Sequence, residues 1–174
     1  MDNTETNWIE EVGAPAYASI VEMVAALECD YDRLDELAEN ELAYKRCIES
    51  YQEKMTDWQA NADATDALEE LAELRAAATS REEAEQRIQE DALSVEVRAD
   101  WHAVGDAPDV ANGQFVILLS TGGPASRIRG ELSNGEPYRA WLEVQDWGKP
   151  WTQYFKADRE PLLTYARCFY FGEG

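Results

Sequence analysis

The sequence is poor in positive charge. Its 174 residues include 15 Lys and Arg against 36 Asp and Glu, which gives a formal net charge of −21. No apolar run approaches the roughly 20 residues that a membrane-spanning helix needs, so we expect no contact with a membrane. The first residues, MDNTETNWIEE, also lack the basic start and apolar centre of a signal peptide. A cytoplasmic protein is therefore predicted.

The sequence has few of the residues on which metal sites and much catalysis depend. Cys29, Cys47 and Cys168 are widely spaced and odd in number, which favours reduced thiols over a disulfide framework or a zinc site. His102, the single histidine, falls on the polar side of a predicted strand, and no GxSxG or cysteine-nucleophile motif accompanies it. We therefore predict a non-enzymatic protein with no catalytic residue, metal or cofactor. A metal-dependent enzyme that uses His102 with nearby carboxylates is the alternative.

One segment, STGGPASRIRGEL (120–132), has the glycines and arginines of a phosphate-binding loop. It lacks the lysine and hydroxyl of the GxxxxGK[ST] motif, and no helix is predicted to follow it. The run Gly122-Gly123-Pro124 is predicted instead to connect two strands.

The negative charge is concentrated in the first part of the chain. Residues 1–100 hold 27 Asp and Glu against 8 Lys and Arg, a net charge of −19, whereas residues 101–174 hold 9 against 7, a net charge of −2. Such a surface repels phosphates, so direct nucleic-acid binding is disfavoured. It attracts a basic partner, such as a protein that itself binds DNA or RNA.

Residues 1–92 are predicted to form an acidic helical hairpin or small bundle. A first helix is expected to begin near Pro15, because proline suits a first helical turn and apolar residues at helical spacing follow it. NADATD (61–66) is expected to end a long second helix. Two shorter helices follow, and the last has capping-box candidates at Thr79 and Ser80.

The long second helix, residues 31–60, carries a seven-residue repeat. Its two rows, which we call the heptad seam, are Leu34, Glu41, Ile48 and Met55, and Leu37, Tyr44, Tyr51 and Trp58. Seven of these eight positions are large and apolar or aromatic, and Glu41 is the exception. The seam must be covered by the shorter helices or by a second copy of the chain. A homodimer through the 31–60 helix is therefore one possible assembly.

Residues 93–174 are predicted to form an antiparallel β-meander of about four strands followed by a helix. Alternating or wholly apolar segments place the strands at 93–102, 114–120, 126–132 and 137–147. A three-residue loop, Asn134–Glu136, keeps like faces together in the last hairpin. It predicts the pairs Arg127 with Glu143, Ile128 with Leu142, Arg129 with Trp141, Gly130 with Ala140, Glu131 with Arg139, and Leu132 with Tyr138.

The end of the chain contains an aromatic corner and a final helix. Trp147 and Trp151 bracket Gly-Lys-Pro, which is typical of a corner that packs over a sheet edge or against a helix, with an exposed recognition patch as the alternative. Asp158 is predicted to cap the helix. Its apolar stripe is expected to comprise Leu162, Leu163, Ala166, Phe169 and Tyr170.

These patterns predict an α+β fold, with an N-terminal helical hairpin or small bundle followed by an antiparallel sheet and a C-terminal helix. The segments GGPASRIRGEL, RAWLEVQDWGKPWTQYF and LLTYARCFYFGE, all within residues 93–174, resemble uncharacterised accessory proteins of bacteriophages, prophages and conjugative elements. The resemblance implies no activity and no site. It favours functions that mobile elements need, including escape from host restriction or CRISPR systems.

The leading hypothesis is an acidic, DNA-mimic-like inhibitor that binds a basic or nucleic-acid-binding host protein complex. The alternative is a self-associating structural or regulatory module whose acidity serves solubility. The candidate interaction residues are Asp35, Glu36, Glu39, Glu49, Glu53, Asp66, Glu69, Glu70, Glu73, Glu82, Glu83, Trp147 and Trp151.

Overall fold

A computed structural model describes residues 3–55, 57–77, 80–99 and 101–172 of the chain. The elements in chain order are α1 (Asn3–Leu27), α2 (Tyr31–Lys54), α3 (Trp58–Ala77), α4 (Arg81–Asp91), β1 (Ser94–Arg98), β2 (Gln114–Ser120), β3 (Ala125–Ser133), β4 (Glu136–Gln145), β5 (Thr152–Gln153) and α5 (Arg159–Ala166). The predicted α+β class is confirmed, with helices first, then an antiparallel sheet and a C-terminal helix.

The chain divides into two compact units. We call them the sheet unit (Met1–Val24 and Glu85–Gly174) and the hairpin unit (Ala25–Ala84). Both boundaries fall within helices, one in α1 and one in α4. The two units therefore do not coincide with the predicted regions 1–92 and 93–174. Those regions separate the first four helices from the strands and the last helix in chain order.

The sheet unit is built on five antiparallel strands in the order β1-β2-β3-β4-β5. The predicted pairing of β3 with β4 is confirmed at five positions, which join Arg127 with Glu143, Ile128 with Leu142, Arg129 with Trp141, Gly130 with Ala140, and Glu131 with Arg139. Gly122-Gly123-Pro124 connects β2 to β3, as predicted, and no helix follows it. The fifth strand, β5, is only two residues long and was not predicted.

The hairpin loop between β3 and β4 differs from the prediction. Ser133 pairs with Glu136, so the loop has two residues, Asn134 and Gly135, with φ of 52° and 83°. Asn-Gly is the sequence that best accepts positive φ at both positions of such a turn. A bulge then shifts the pairing, so that Leu132 stands opposite Pro137 and not Tyr138. The bulge keeps the apolar residues on one face, which the longer loop was predicted to do.

The core of the sheet unit lies on one face of the sheet. Side chains with essentially no exposure come from the sheet and from three helices: Phe115, Ile117, Ile128, Leu142, Val144, Ile20, Ile88, Leu162 and Tyr165. The Tyr165 hydroxyl donates to Oδ2 of Asp91 at 2.7 Å, and burial raises the pKa of this hydroxyl well above its usual range. Gly130 is required where it stands, because a Cβ there would meet the Phe115 ring.

The hairpin unit is formed chiefly by α2 and α3 packed together. Its buried cluster comprises Leu37, Ala67 and Leu71, with Ala38, Tyr44, Leu68 and Leu74 partly buried against it. Arg33 of α2 donates from Nε and Nη2 to the two carboxylate oxygens of Glu70 on α3, at 3.0 and 2.7 Å. Two apolar faces and this bidentate pair join the helices.

The prediction of one helix over residues 31–60 is wrong. α2 ends at Lys54, and Met55 and Asp57 take left-handed φ values of 54° and 60° in the turn. NADATD (61–66) lies inside α3, where the Thr65 hydroxyl donates to the carbonyl oxygen of Asn61. Polar residues such as those of NADATD are tolerated within a helix. The turn between α2 and α3 contains no glycine, so the sequence does not mark it as a break.

Other helix ends also differ from the predictions. α1 begins at Asn3 and contains Pro15 within it. α5 ends at Ala166, so Phe169 and Tyr170 lie beyond the helix, and Tyr170 is exposed. Asp158 is the N-cap residue of α5, as predicted, but its side chain caps no backbone N–H.

Ser80 caps the start of α4 as predicted, through one of the two hydrogen bonds of a capping box. Its Oγ accepts the backbone N–H of Glu83 at 3.2 Å, and α4 ends at Asp91. The candidate at Thr79 lies outside the described residues. No single described helix is long and apolar enough to cross a membrane, and the bent pair α1–α2 meets that test only when both helices are counted together.

Candidate interaction surface

The acidic candidates of α2 lie mainly on one face of that helix. Asp35, Glu39, Glu49 and Glu53 follow helical spacing, and this row lies opposite the buried Leu37. All four side chains are exposed. Arg46 is the one basic residue that the spacing places in the same row. The face that α2 turns away from α3 is therefore predominantly anionic.

The candidates of α3 form a similar row. Asp66, Glu69 and Glu73 are exposed, and Asp63 continues the row one turn towards the start of the helix. Lys and Arg are absent from α3 until Arg75, which pairs with Glu41. The outward face of α3 thus carries carboxylates without interspersed cations.

Two of the candidates share one arginine as an ion-pair partner. Arg33 contacts Glu36 at 2.9 Å and Glu70 at 2.7 Å, and the hydrogen bonds from Arg33 lower the pKa of Glu70. Within the described part of the chain, the other α2 and α3 candidates form no ion pair with Lys or Arg: Asp35, Glu39, Glu49, Glu53, Asp66, Glu69 and Glu73. The same holds for the exposed Glu82 of α4. Glu83 is exposed and opens the first turn of α4.

The magnitude of this charge can be compared with that of DNA. The hairpin unit has 17 Asp and Glu against six Lys and Arg, a net charge of −11. The 24 residues of α2 give a length of about 36 Å at 1.5 Å per residue. The two helices that share this length, residues 31–77, hold 13 Asp and Glu against five Lys and Arg, a net charge of −8, or one net charge for about every 4.5 Å. A single DNA strand has one charge for about every 3.4 Å of axis, so the helix pair approaches the charge density of one strand but stays below it.

The two tryptophan candidates belong to the sheet unit, not to the hairpin unit. Trp147 is 76% exposed, and its indole packs against Gly123 in the β2–β3 connection. Trp151 is half-buried, with the Arg127 guanidinium 4.1 Å from its ring centroid. Trp151 therefore packs at the sheet, as the corner prediction expected, whereas Trp147 offers an exposed apolar surface.

Sequence reasoning missed part of a polar network on the sheet face that carries Arg127 and Arg129. The predicted partners are in contact: Arg127 pairs with Glu143 at 2.6 Å, and the Arg129 guanidinium lies 5.8 Å from the Trp141 ring centroid. Gln114 was not foreseen as the link to β1, although its amide oxygen accepts from both Arg129 and Arg98. The predicted alternation of β1 placed Arg98 on the polar face, but β2 was predicted to be apolar on both faces, so the pairing of Arg98 with Gln114 is found only in the structure.

The described residues contain no group of three or more His, Cys, Asp or Glu that could hold a metal ion. All three cysteines are free thiols, and burial raises the pKa of the Cys168 thiol to about 11, which keeps it protonated at neutral pH. His102 is exposed beyond the end of β1, with Nδ1 3.3 Å from the carbonyl oxygen of Ala103. That the chain is not an enzyme stays a prediction.

Part of the heptad seam is covered within the chain itself. Leu37 is fully buried in the cluster that α2 forms with α3. Glu41, the polar exception in the seam, accepts from Lys45 at 2.6 Å and contacts Arg75 of α3 at 3.0 Å. The homodimer through the 31–60 helix stays a prediction, and it would have to use seam residues outside this cluster.

The chain matches no protein-family model, no curated protein and no solved structure.

Proposed function

We propose that the chain is a non-enzymatic protein that binds a basic, nucleic-acid-binding host protein through the acidic faces of α2 and α3. The partner belongs to a host defence system such as restriction or CRISPR, and the binding takes place in the host cytoplasm. The observation that carries the proposal is the row of exposed carboxylates on α3 that lack cationic partners among the described residues. Such a row attracts a surface built to bind phosphates.

The charge density of the hairpin unit supports competition with nucleic acid. A protein groove that neutralises a phosphate strand meets one charge for about every 3.4 Å, and α2 and α3 together offer one net negative charge for about every 4.5 Å. The resemblance of residues 93–174 to accessory proteins of mobile elements also supports a role against host defence. Because the attraction is between charges at a surface, binding is expected to weaken steeply above physiological ionic strength.

The test uses the full chain in bacteria that carry a restriction or CRISPR system. One variant removes three charges from α3, Asp66→Asn/Glu69→Gln/Glu73→Gln. A matched control removes three exposed charges from the sheet unit, Glu85→Gln/Asp106→Asn/Glu136→Gln. The measurement is the plaque yield of a phage that the defence system restricts.

The wild-type chain and the control are expected to raise the plaque yield, and the α3 variant is expected to lose most of this effect. In a pull-down, duplex DNA should displace the wild-type chain from the partner that it captures. Equal protection by both variants would contradict the role of the α3 row, and a partner that DNA leaves bound would contradict mimicry. If the wild-type chain protected the phage against none of the defence systems in a panel, the proposed function would be contradicted.

A further inference from the structure

The sheet ends at β1, an edge strand whose apolar residues are partly exposed. Val95 stands opposite Ile117, and Val97 stands opposite Phe115; residues directly opposite each other share a face of the sheet. Ile117 and Phe115 are fully buried, but Val95 and Val97 are 37% and 42% exposed. The apolar face of the sheet therefore continues onto β1 beyond the buried core.

The same two valines turn their backbone groups towards the open edge. In a strand between two antiparallel neighbours, successive residues form their backbone hydrogen bonds with one neighbour and then with the other. The N–H of Leu132 in β3 donates to the carbonyl oxygen of Gly113 at 2.9 Å. Every second residue of β2 from Gly113 onwards therefore bonds to β3, and the residues between them bond to β1. The intervening residues pair in register with Ser94, Glu96 and Arg98. The N–H and C=O groups of Val95 and Val97 therefore point away from β2, where no described strand pairs with β1.

The two edges of the sheet differ in how they are protected against pairing. β5 is two residues long, and very short edge strands resist the addition of another strand. β1 has five residues, SVEVR, without the proline or lysine that commonly blocks such an edge. β1 is thus the edge that remains available for another strand.

We propose that β1 pairs antiparallel with β1 of a second copy of the chain, with the two-fold axis at Val97. Charge complementarity selects this register. An axis at Val95 sets Ser94 opposite Glu96 of the second copy, and an axis at Glu96 sets two carboxylates opposite each other. Only the axis at Val97 sets Glu96 opposite Arg98 of the second copy, and symmetry forms that pair twice.

The backbone geometry favours the same register. With the axis at Val97, the outward-pointing groups of Val97 bond to those of its counterpart, and Val95 faces Ala99. Glu96 and Arg98 then occupy positions between hydrogen-bonded pairs, where opposing side chains approach most closely. The dimer has one continuous ten-stranded sheet and covers the exposed valines.

The test measures dimerisation by sedimentation equilibrium at about 150 mM salt, which screens repulsion between the acidic copies. Glu96→Arg sets two arginines opposite each other, and Arg98→Glu sets two glutamates opposite each other. Each single variant is expected to dimerise about tenfold or more weakly than the wild type. An equimolar mixture of the two variants is expected to regain association, because both cross-strand pairs in that heterodimer join opposite charges.

A second variant tests the edge itself. Val97→Pro removes an N–H that points away from β2, so β1 can still pair with β2 in the monomer. Circular dichroism is expected to show a folded chain that stays monomeric, while Val97→Thr remains dimeric. A wild-type chain that is monomeric at all concentrations would overturn the proposal, as would a mixture of the charge variants that associates no better than either alone.

Dimerisation through β1 and partner binding through α3 can fail separately. The two net charges of −21 repel each other, so dimerisation is expected to strengthen as salt rises towards physiological strength, whereas binding to a cationic partner weakens. The α3 variant Asp66→Asn/Glu69→Gln/Glu73→Gln is expected to retain the dimer, and Val97→Pro is expected to retain partner binding.

Discussion

Glu41 is the polar residue of the heptad seam, and its ion pairs with Lys45 and Arg75 stabilise the contact between α2 and α3. Its hydrogen bond with Lys45, and then that with Arg75, lowers the pKa of its carboxyl. A lowered folded-state pKa stabilises the fold above the unfolded-state value, which is about 4.3 for Glu, and this stabilisation is lost as pH falls through the folded-state pKa. The stabilisation by Glu41 is therefore complete at neutral pH.

We predict that Glu41→Gln lowers the free energy of unfolding at pH 7 and that its difference from the wild type disappears in acid. Urea unfolding followed by circular dichroism at decreasing pH measures this difference. Glu49→Gln is the matched control, since Glu49 is exposed on α2 and makes no ion pair within the described residues. Glu41→Gln could still lower the free energy of unfolding at a pH where Glu41 is protonated in both the folded and the unfolded state. That result would show that the ion pairs are not the cause of the loss.

The role of Glu41 also shows where residue-level prediction stops. Its place in the heptad seam was evident from spacing, but Arg75 could become its partner only once α3 had folded back on α2. By contrast, the pairs of Arg127 with Glu143 and of Glu131 with Arg139 were predicted correctly, because strand alternation and charge complementarity across a short hairpin are local properties.

At the scale of the elements, the turn between α2 and α3 places Met55 in a left-handed conformation that its side chain disfavours. Met55 is 75% exposed and has a φ of 54°, and its N–H donates to the carbonyl oxygen of Tyr51 at 2.7 Å. A left-handed conformation costs a residue other than glycine about 1–2 kcal/mol. Glycine avoids this cost but loses more chain entropy on folding, about 0.5–1 kcal/mol.

We therefore predict that Met55→Gly stabilises the hairpin unit by about 0.5–1 kcal/mol. The exposed Met55 side chain gives up little packing, so the backbone gain dominates. Gln52→Gly, at an exposed position inside α2, is the control and is expected to destabilise by about 1 kcal/mol. Denaturant unfolding monitored by helical circular dichroism distinguishes the two. Equal losses from both glycines would mean that the turn is not strained at Met55.

The elements divide into those that sequence could define and those that it could not. The positions of β2, β3 and β4 and the pairing of β3 with β4 were readable. β2 is a wholly apolar run, and in β3 and β4 a buried face imposes a period of two. The helix break at residues 55–57 was not readable, since no glycine or proline marks it. The exposure of β1 was also missed: alternation shows that Val95 and Val97 share an apolar face, but it cannot show whether a neighbouring element covers that face.

At the scale of the whole molecule, folding redistributes the charge that the sequence concentrates in residues 1–100. The sheet unit takes up residues 1–24 and 85–100, and its net charge is −10, with 19 Asp and Glu against nine Lys and Arg. The hairpin unit has −11 in 60 residues, about twice the charge per residue of the sheet unit. Both units are acidic, and the hairpin unit is the denser of the two.

This excess predicts how stability responds to salt. Carboxylates without cationic partners repel one another and oppose folding, and added salt screens that repulsion, while the few exposed ion pairs lose little because each contributes at most about 1 kcal/mol. The free energy of unfolding is therefore expected to rise with sodium chloride. The variant Asp66→Asn/Glu69→Gln/Glu73→Gln is expected to be more stable than the wild type at low salt and to respond less to added salt. A wild-type stability that falls with salt would mean that attractive pairs outweigh the repulsion, and that the row on α3 is already balanced by charges in the folded chain.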